Sequence, residues 1–329
     1  MINQILLYNS GGGIGDAIQI LPLINTLKNE LKNTKFYYLC AHENHFNSTL
    51  KDLNCEIDTL DLKIKYFGFR WWHSLIVRKE FKNQNIKPFD LIIDLQSKIR
   101  NSLILKIIPH NKFISPCLNF KLSKPKIEIK KEKKIEKTIL EAINFAFRQN
   151  YQLCEFDINK IEKKFHLEAE KLLPKNNYVG LSITQGNIYR KKEWPLNNIV
   201  KLCEKLKENN KTPVFFIEKK NSDLKNKIKK LLPFALFPEH DTNTTSPALV
   251  TCLGKRLDFA LSIDNGIMHM LSLGEIPMIV LFGPTNSEKF APENKNIFVL
   301  DSKKLYNSTD ISSISVEDVL RTIKQNLNF

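Results

Sequence analysis

Gly13-Ile14-Gly15-Asp16 follows an apolar run at 4–8 and precedes a helix-like stretch at 17–31. Far along the chain, Ser262-Ile263-Asp264-Asn265-Gly266-Ile267-Met268-His269 leads into Pro277-Met278-Ile279-Val280-Leu281-Phe282-Gly283-Pro284. Each stretch has the form strand, glycine-bearing turn, helix. Such a turn aims backbone N–H groups and the positive helix end at an anion. One in each half of the chain suggests a cleft between two α/β domains.

Outward from these turns, strand-like and helix-like stretches alternate throughout, which predicts parallel sheets with helices on both faces. In the first half strands are expected at 4–8, 35–40, 56–60, 90–95 and 112–115, with helices at 17–31, 72–84, 97–108 and near 136–150. The run at 90–95, Asp-Leu-Ile-Ile-Asp-Leu, is nearly continuous apolar sequence, as a strand buried on both faces requires. Around 150–175 the pattern turns helical and polar, and Pro174 punctuates it. The second half restarts with strands at 178–184, 213–217, 234–237, 258–263 and 278–282. Helices at 196–210, 222–232, 246–254 and 266–273 alternate with them. A last helix at 315–327 opens on Ser315, a favoured N-cap residue. The expected domains are therefore 1–170, 171–312 and a C-terminal helix within 313–329.

Composition bounds the function. A chain of 329 residues, 42% hydrophobic and 26% charged, can hold two globular domains with separate cores. No uncharged apolar run is long enough to span a bilayer, and Met1–Ser10 lacks the basic start of a signal peptide. Six scattered cysteines without a Cys-x-x-Cys pair fit reduced thiols in a cytosol better than a disulfide framework or a zinc site. The net charge is +15, and residues 1–150 carry 24 Lys and Arg against 14 Asp and Glu. The excess concentrates in 63–106 and in the lysine-rich loop at 121–137. Such a field attracts phosphates, nucleic acid or an acidic membrane face. The Lys, Asn and Ile bias of an AT-rich genome produces the same charge as solvated surface, and both readings stand. Nucleic-acid binding lacks aromatic residues interleaved with the basic stretches, 66–72 apart.

The turns can be read chemically. Gly11, Gly12, Gly13 and Gly15 let the backbone approach a ligand closely. The third glycine of a dinucleotide fingerprint would fall at Asp16, and no Gly-Lys-Ser/Thr follows to make a P-loop. A carboxylate at the carboxyl end of a strand can take a proton from an acceptor hydroxyl. The helix dipole also favours an acid in a first turn for structural reasons alone. In the second motif, backbone N–H groups at 265–267 can hold a diphosphate, with the Asn265 amide as a further donor and His269 one turn into the helix. The plainer reading has Asp264 capping the helix and His269 packing in the interface. Between Thr184 and Pro195, the cations Arg190, Lys191 and Lys192 stand in a row. They can neutralise charge on a leaving diphosphate, or form an exposed loop that Trp194-Pro195 staples to the next helix.

Four ordered motifs resemble the heptosyltransferase-type (family 9) glycosyltransferases of the GT-B superfamily. They are Gly15-Asp16-Ala17 with Leu21-Pro22; Ile93-Asp94-Leu95-Gln96 followed by the basic Lys98 and Arg100; Lys192-Glu193-Trp194-Pro195; and Asp264–His269 with Phe282-Gly283-Pro284-Thr285. The resemblance covers roughly residues 1–300, with Asn265 standing where Thr is usual and Tyr8-Asn9 where a basic residue is common. It implies an α/β chain with two Rossmann-like domains whose parallel sheets face a central cleft. By this resemblance Asp16 is the catalytic base, while Thr184, Lys192, Asp223, Asp264, Asn265, Gly266 and His269 bind the donor. Gly13, Gly15, Lys98 and Arg100 then lie on the acceptor side.

The implied activity is inverting, metal-independent transfer of a sugar, heptose from ADP-heptose, onto a lipid-anchored surface glycan such as lipopolysaccharide core. No cofactor, no metal and no nucleic acid are expected; no Asp-x-Asp occurs anywhere. The implied partners are an ADP-linked donor, an anionic glycolipid acceptor and, peripherally, an anionic membrane reached from the cytoplasm. A catalytically silent nucleotide-sugar-binding protein and a basic nucleic-acid-binding protein are the alternatives.

Overall fold

The structure is a computed structural model and describes residues 2–40, 43–185 and 191–327. It divides into two compact units, 1–156 and 157–329. In the first, the apolar runs become β1 (Gln4–Asn9), β2 (Lys35–Cys40), β3 (Asp58–Thr59), β4 (Phe89–Asp94) and β5 (His110–Ile114). They pair in parallel in the order β3-β2-β1-β4-β5. The central β1 and β4 are buried along nearly their whole length, which is why they read as unbroken apolar sequence. Helices α1 (Ile14–Gln19), α2 (Leu21–Glu30), α3 (His73–Asn83), α4 (Ile99–Leu105) and α5 (Ile135–Phe147) complete this unit.

The single helix expected at 17–31 is two, α1 and α2, meeting at Ile20. Pro22 is the cause: it has no N–H to donate back along a continuous helix, and its ring crowds the carbonyl four residues earlier. The strand expected at 56–60 shortens to β3, two exposed residues at the sheet edge.

The second unit comprises α6 (Lys163–Leu172), β6 (Tyr178–Ser182), α7 (Leu196–Glu208), β7 (Thr212–Phe215), α8 (Ser222–Leu231), α9 (Pro247–Gly254), β8 (Phe259–Ile263), α10 (Gly266–Ser272), β9 (Met278–Phe282), α11 (Ser287–Phe290), β10 (Ile297–Asp301), α12 (Ser302–Tyr306) and α13 (Val316–Asn326). Its parallel sheet runs β10-β9-β8-β6-β7. The strand expected at 234–237 is a single bridge, in which Leu236 accepts from Phe215 N–H and donates to the Pro213 carbonyl. Pro233 and Pro238 keep it from lengthening. Strand β10, partly exposed at the sheet edge, was not among the expected strands, although 297–300 reads Ile-Phe-Val-Leu. Helix α13 starts where its serine indicated, with Ser315 and Asp318 forming a reciprocal capping box.

The expected division at residue 170 would cut α6. That helix packs on α9 and belongs with the second unit, as does α13, which packs on α7. In each sheet the strand order reverses once, between β1 and β4 and between β6 and β8. The crevice outside the carboxyl ends at such a reversal is where open α/β sheets take ligands.

Asp94 closes β4 as a fully buried carboxylate. Its Oδ2 accepts from Ser102 Oγ at 2.5 Å and Ser115 Oγ at 2.7 Å, and its Oδ1 accepts from Gln96 N–H at 2.9 Å. Burial pushes its pKa up to about 6 in spite of these bonds. The folded protein therefore holds this proton where the unfolded chain has released it. Stability falls as pH rises from the ordinary Asp range through about 6, then levels off. The loss is about 3 kcal/mol at 1.36 kcal/mol per unit. Asp94→Asn stays neutral, so urea unfolding at pH 4 and pH 7 should show that fall in the parent and not in the variant. Parallel pH profiles would refute this.

Candidate functional site

In the first unit the glycine turn hangs from the carboxyl ends of β1 and β4. Asn9 Oδ1 accepts from Gly11 N–H at 2.8 Å and from the Gln96 amide at 2.7 Å, which joins the two strand ends. Gly13 is the N-cap of α1, and Asp16, half-buried, lies in the first turn beyond it. A Cβ on Gly11 would stand 2.8 Å from Asp16 Cβ, Cγ and Oδ2. The glycine is therefore what lets the Asp16 side chain fold back over the turn. On the far side, His45 Nε2 lies 3.2 Å from the Gly12 carbonyl. Neither this histidine nor the Asn9–Gln96 link was legible in the sequence, because both depend on which strands become neighbours.

Gly11→Ala should therefore displace Asp16 while costing about 1–3 kcal/mol, the usual penalty of overpacking. Thermal unfolding and initial rates measured together would show activity falling further than stability does. A variant with full activity would separate Asp16 from the turn's function.

The basic side chains on this unit differ in role. Lys98 is exposed at the start of α4. Arg100 Nε donates to the Gly68 carbonyl at 2.5 Å, so its guanidinium holds a loop in place.

The second unit builds its turn at the carboxyl ends of β6 and β8. Asn265 caps α10, its Oδ1 accepting from Met268 N–H at 2.9 Å. Its amide donates to Ser182 Oγ at 2.7 Å and to the Thr184 carbonyl at 2.8 Å. Both amide hydrogens are thus engaged in tying β6 to the turn, where the sequence had suggested a further donor for a ligand. Gly266 opens α10, and His269 is buried one turn along it.

Lys192 is also drawn in. Its ammonium reaches Asp264 Oδ2 at 2.5 Å and the Asp264 carbonyl at 3.1 Å. The two side chains are only 13% and 10% exposed, so this is a nearly buried pair. Lys192 N–H donates to Gln185 Oε1 at 2.8 Å; residues 186–190, Arg190 among them, lie outside the described residues. Trp194, two residues on, is buried and donates its indole N–H to the Ile314 carbonyl at 2.8 Å. That anchor fixes where Lys192 can reach.

Asp223 sits exposed in the first turn of α8. The acids the structure does bring together are Glu218, just beyond β7, and Glu239. Burial, and then the charge of Glu218, push the Glu239 carboxyl up to about 7. Its Oε2 has no hydrogen-bond partner among the described residues, nor has the buried hydroxyl of Thr285 beyond β9. Burial and nearby lysines hold the adjoining His240 below its ordinary value. These residues were missed because the stretch 234–237 reads as a plain strand, and nothing local shows that the chain beyond it returns to Glu218.

Comparison with known proteins now defines the class. The same fold extends over the glycosyl transferase family 9 protein of Veillonella parvula, with a TM-score of 0.70, 15% identity, and 98% and 96% of the two chains covered. It extends equally over the E. coli heptosyltransferase WaaC solved with ADP-2-deoxy-2-fluoro heptose, with a TM-score of 0.70, 15% identity, and 98% and 99% covered. The chain thus has the two-domain GT-B fold. Residues 77–319 match the description of glycosyltransferase family 9 (heptosyltransferase), and the chain belongs to that family of enzymes. It is also 20% identical to lipopolysaccharide heptosyltransferase 1 of Campylobacter coli, over 95% of this chain and 96% of that one.

Proposed function

We propose that the protein transfers heptose from ADP-heptose, with inversion, onto the core of a lipopolysaccharide-type glycolipid. Asp16 takes the proton from the acceptor hydroxyl as it attacks the anomeric carbon. The turn at 264–266 receives the diphosphate, and Lys192 leaves Asp264 to neutralise the charge that grows on it. The reading rests above all on the Lys192–Asp264 pair at the strand reversal of the second sheet, in a family 9 chain. On this reading the reaction needs neither cofactor nor metal and runs on the cytoplasmic side of a membrane.

Thermal unfolding with ADP, UDP and GDP tests the donor, since a ligand at a hundred times its Kd should add about 2.7 kcal/mol. ADP should raise the melting temperature most, and ADP-heptose should be consumed equally with and without EDTA. Selective stabilisation by UDP would overturn the donor assignment, and loss of turnover in EDTA the metal-free chemistry. Binding of ADP-heptose without turnover on any core acceptor would favour a silent binder.

A further inference from the structure

Seven of the fourteen large apolar side chains exposed among the described residues lie in two neighbouring stretches of the first unit. Tyr66, Phe69, Trp71, Trp72 and Leu75 come from the loop before α3 and its first turns, and Ile99 and Leu103 from α4. Trp71 is 59% exposed, Trp72 57% and Leu75 65%. Monomeric surfaces rarely keep so many large apolar groups together without a partner.

The fold holds this surface in shape. Gly68 has φ +82°, and a Cβ there would run into the Asn101 side chain at 2.5 Å. With the bond from Arg100 to the Gly68 carbonyl, that contact locks the loop onto α4, against which α3 also packs. The rings brace one another: Tyr66 meets Phe69 edge-on with centroids 5.6 Å apart, and the Arg70 guanidinium lies 5.4 Å from the Trp72 ring.

Charge selects the partner. Residues 62–79 contain Lys63, Lys65, Arg70, Arg78 and Lys79 and no acid. The next residue, Glu80, is itself paired with Lys63. Tryptophan and tyrosine settle at the boundary between headgroups and acyl chains, while Lys and Arg near them meet anionic headgroups. A second copy of the chain would set these cations against themselves. A nucleic-acid platform would use the rings and leave Leu75, Ile99 and Leu103 without a role. We infer that the surface formed by Tyr66–Leu75 and α4 docks the protein on an anionic phospholipid bilayer, with Trp71, Trp72 and Leu75 at the headgroup boundary.

The inference goes beyond sugar transfer, and its test uses no donor or acceptor. The chain has three tryptophans, and the third, Trp194, is buried and hydrogen-bonded in the other unit. A change in tryptophan emission on adding vesicles therefore reports Trp71 and Trp72. With phosphatidylcholine vesicles containing phosphatidylglycerol, emission should shift to the blue, brominated lipid should quench it, and the protein should float with the vesicles. Added salt should weaken the binding. Trp71→Ser with Trp72→Ser should lower partitioning about tenfold or more, from the apolar area withdrawn. Leu231→Ser, at a similarly exposed apolar site on α8, should bind as the parent does. Equal binding to pure phosphatidylcholine, or no flotation, would overturn the inference. So would parental binding by the double tryptophan variant, or the same blue shift from single-stranded DNA or higher protein concentration without lipid.

Discussion

Asp16→Asn should lose about two to four orders of magnitude in turnover with ADP-heptose, the usual contribution of a positioned base. Asparagine keeps the shape that lies against Gly11 and can still occupy the first turn of α1. It cannot accept the acceptor's proton at neutral pH. The variant should therefore melt close to the parent and be stabilised by ADP to the same extent, with the loss confined to the chemical step. Rapid-quench single turnovers at saturating donor separate that step from product release. Full activity would reduce Asp16 to a helix-terminus carboxylate. Loss of ADP stabilisation alongside activity would point to a disturbed fold instead.

The second large effect is expected at Lys192. Removing a preorganised donor from an active site costs about 2–4 kcal/mol of transition-state stabilisation, or about thirty- to a thousand-fold in rate. Lys192→Ala also removes the ammonium from a nearly buried carboxylate, so stability should fall as well. The dipole of α10 only partly compensates, because its favourable effect on a carboxylate is about 1 kcal/mol or less at most surface sites. Combining Lys192→Ala with Asp264→Asn leaves no buried charge. The double variant should regain most of the lost stability, read from urea unfolding, while turnover stays low. Recovery of turnover with stability would make Lys192 a structural counter-ion to Asp264 and nothing more.

The sequence alone determined a good deal. Largely apolar runs marked β1, β4, β8 and β9, because a strand buried on both faces has few polar positions to interrupt it, Ser262 being the one inside β8. Gly13, Gly15, Asp16 and the stretch from Asp264 to His269 were visible because a turn between a buried strand and a helix requires those residue types locally. Ser315 announced α13 for the same reason. The break at Ile20 was also written there, in Pro22, although the apolar periodicity carried the expected helix across it.

What only tertiary structure decided was pairing between segments distant along the chain. Lys192 and Asp264 are 72 positions apart, and Asn9 and Gln96 are 87. No local pattern states that β6 lies beside β8 or β1 beside β4, since a parallel strand is compatible with many neighbours until the whole sheet is packed. The same holds for the basic residues. Charge counting could not distinguish Arg100, which braces a loop, from Lys98, which is exposed, or from Lys192, which neutralises a carboxylate. Their residue types are chemically alike, and burial and neighbours, both products of the tertiary fold, set what each one does.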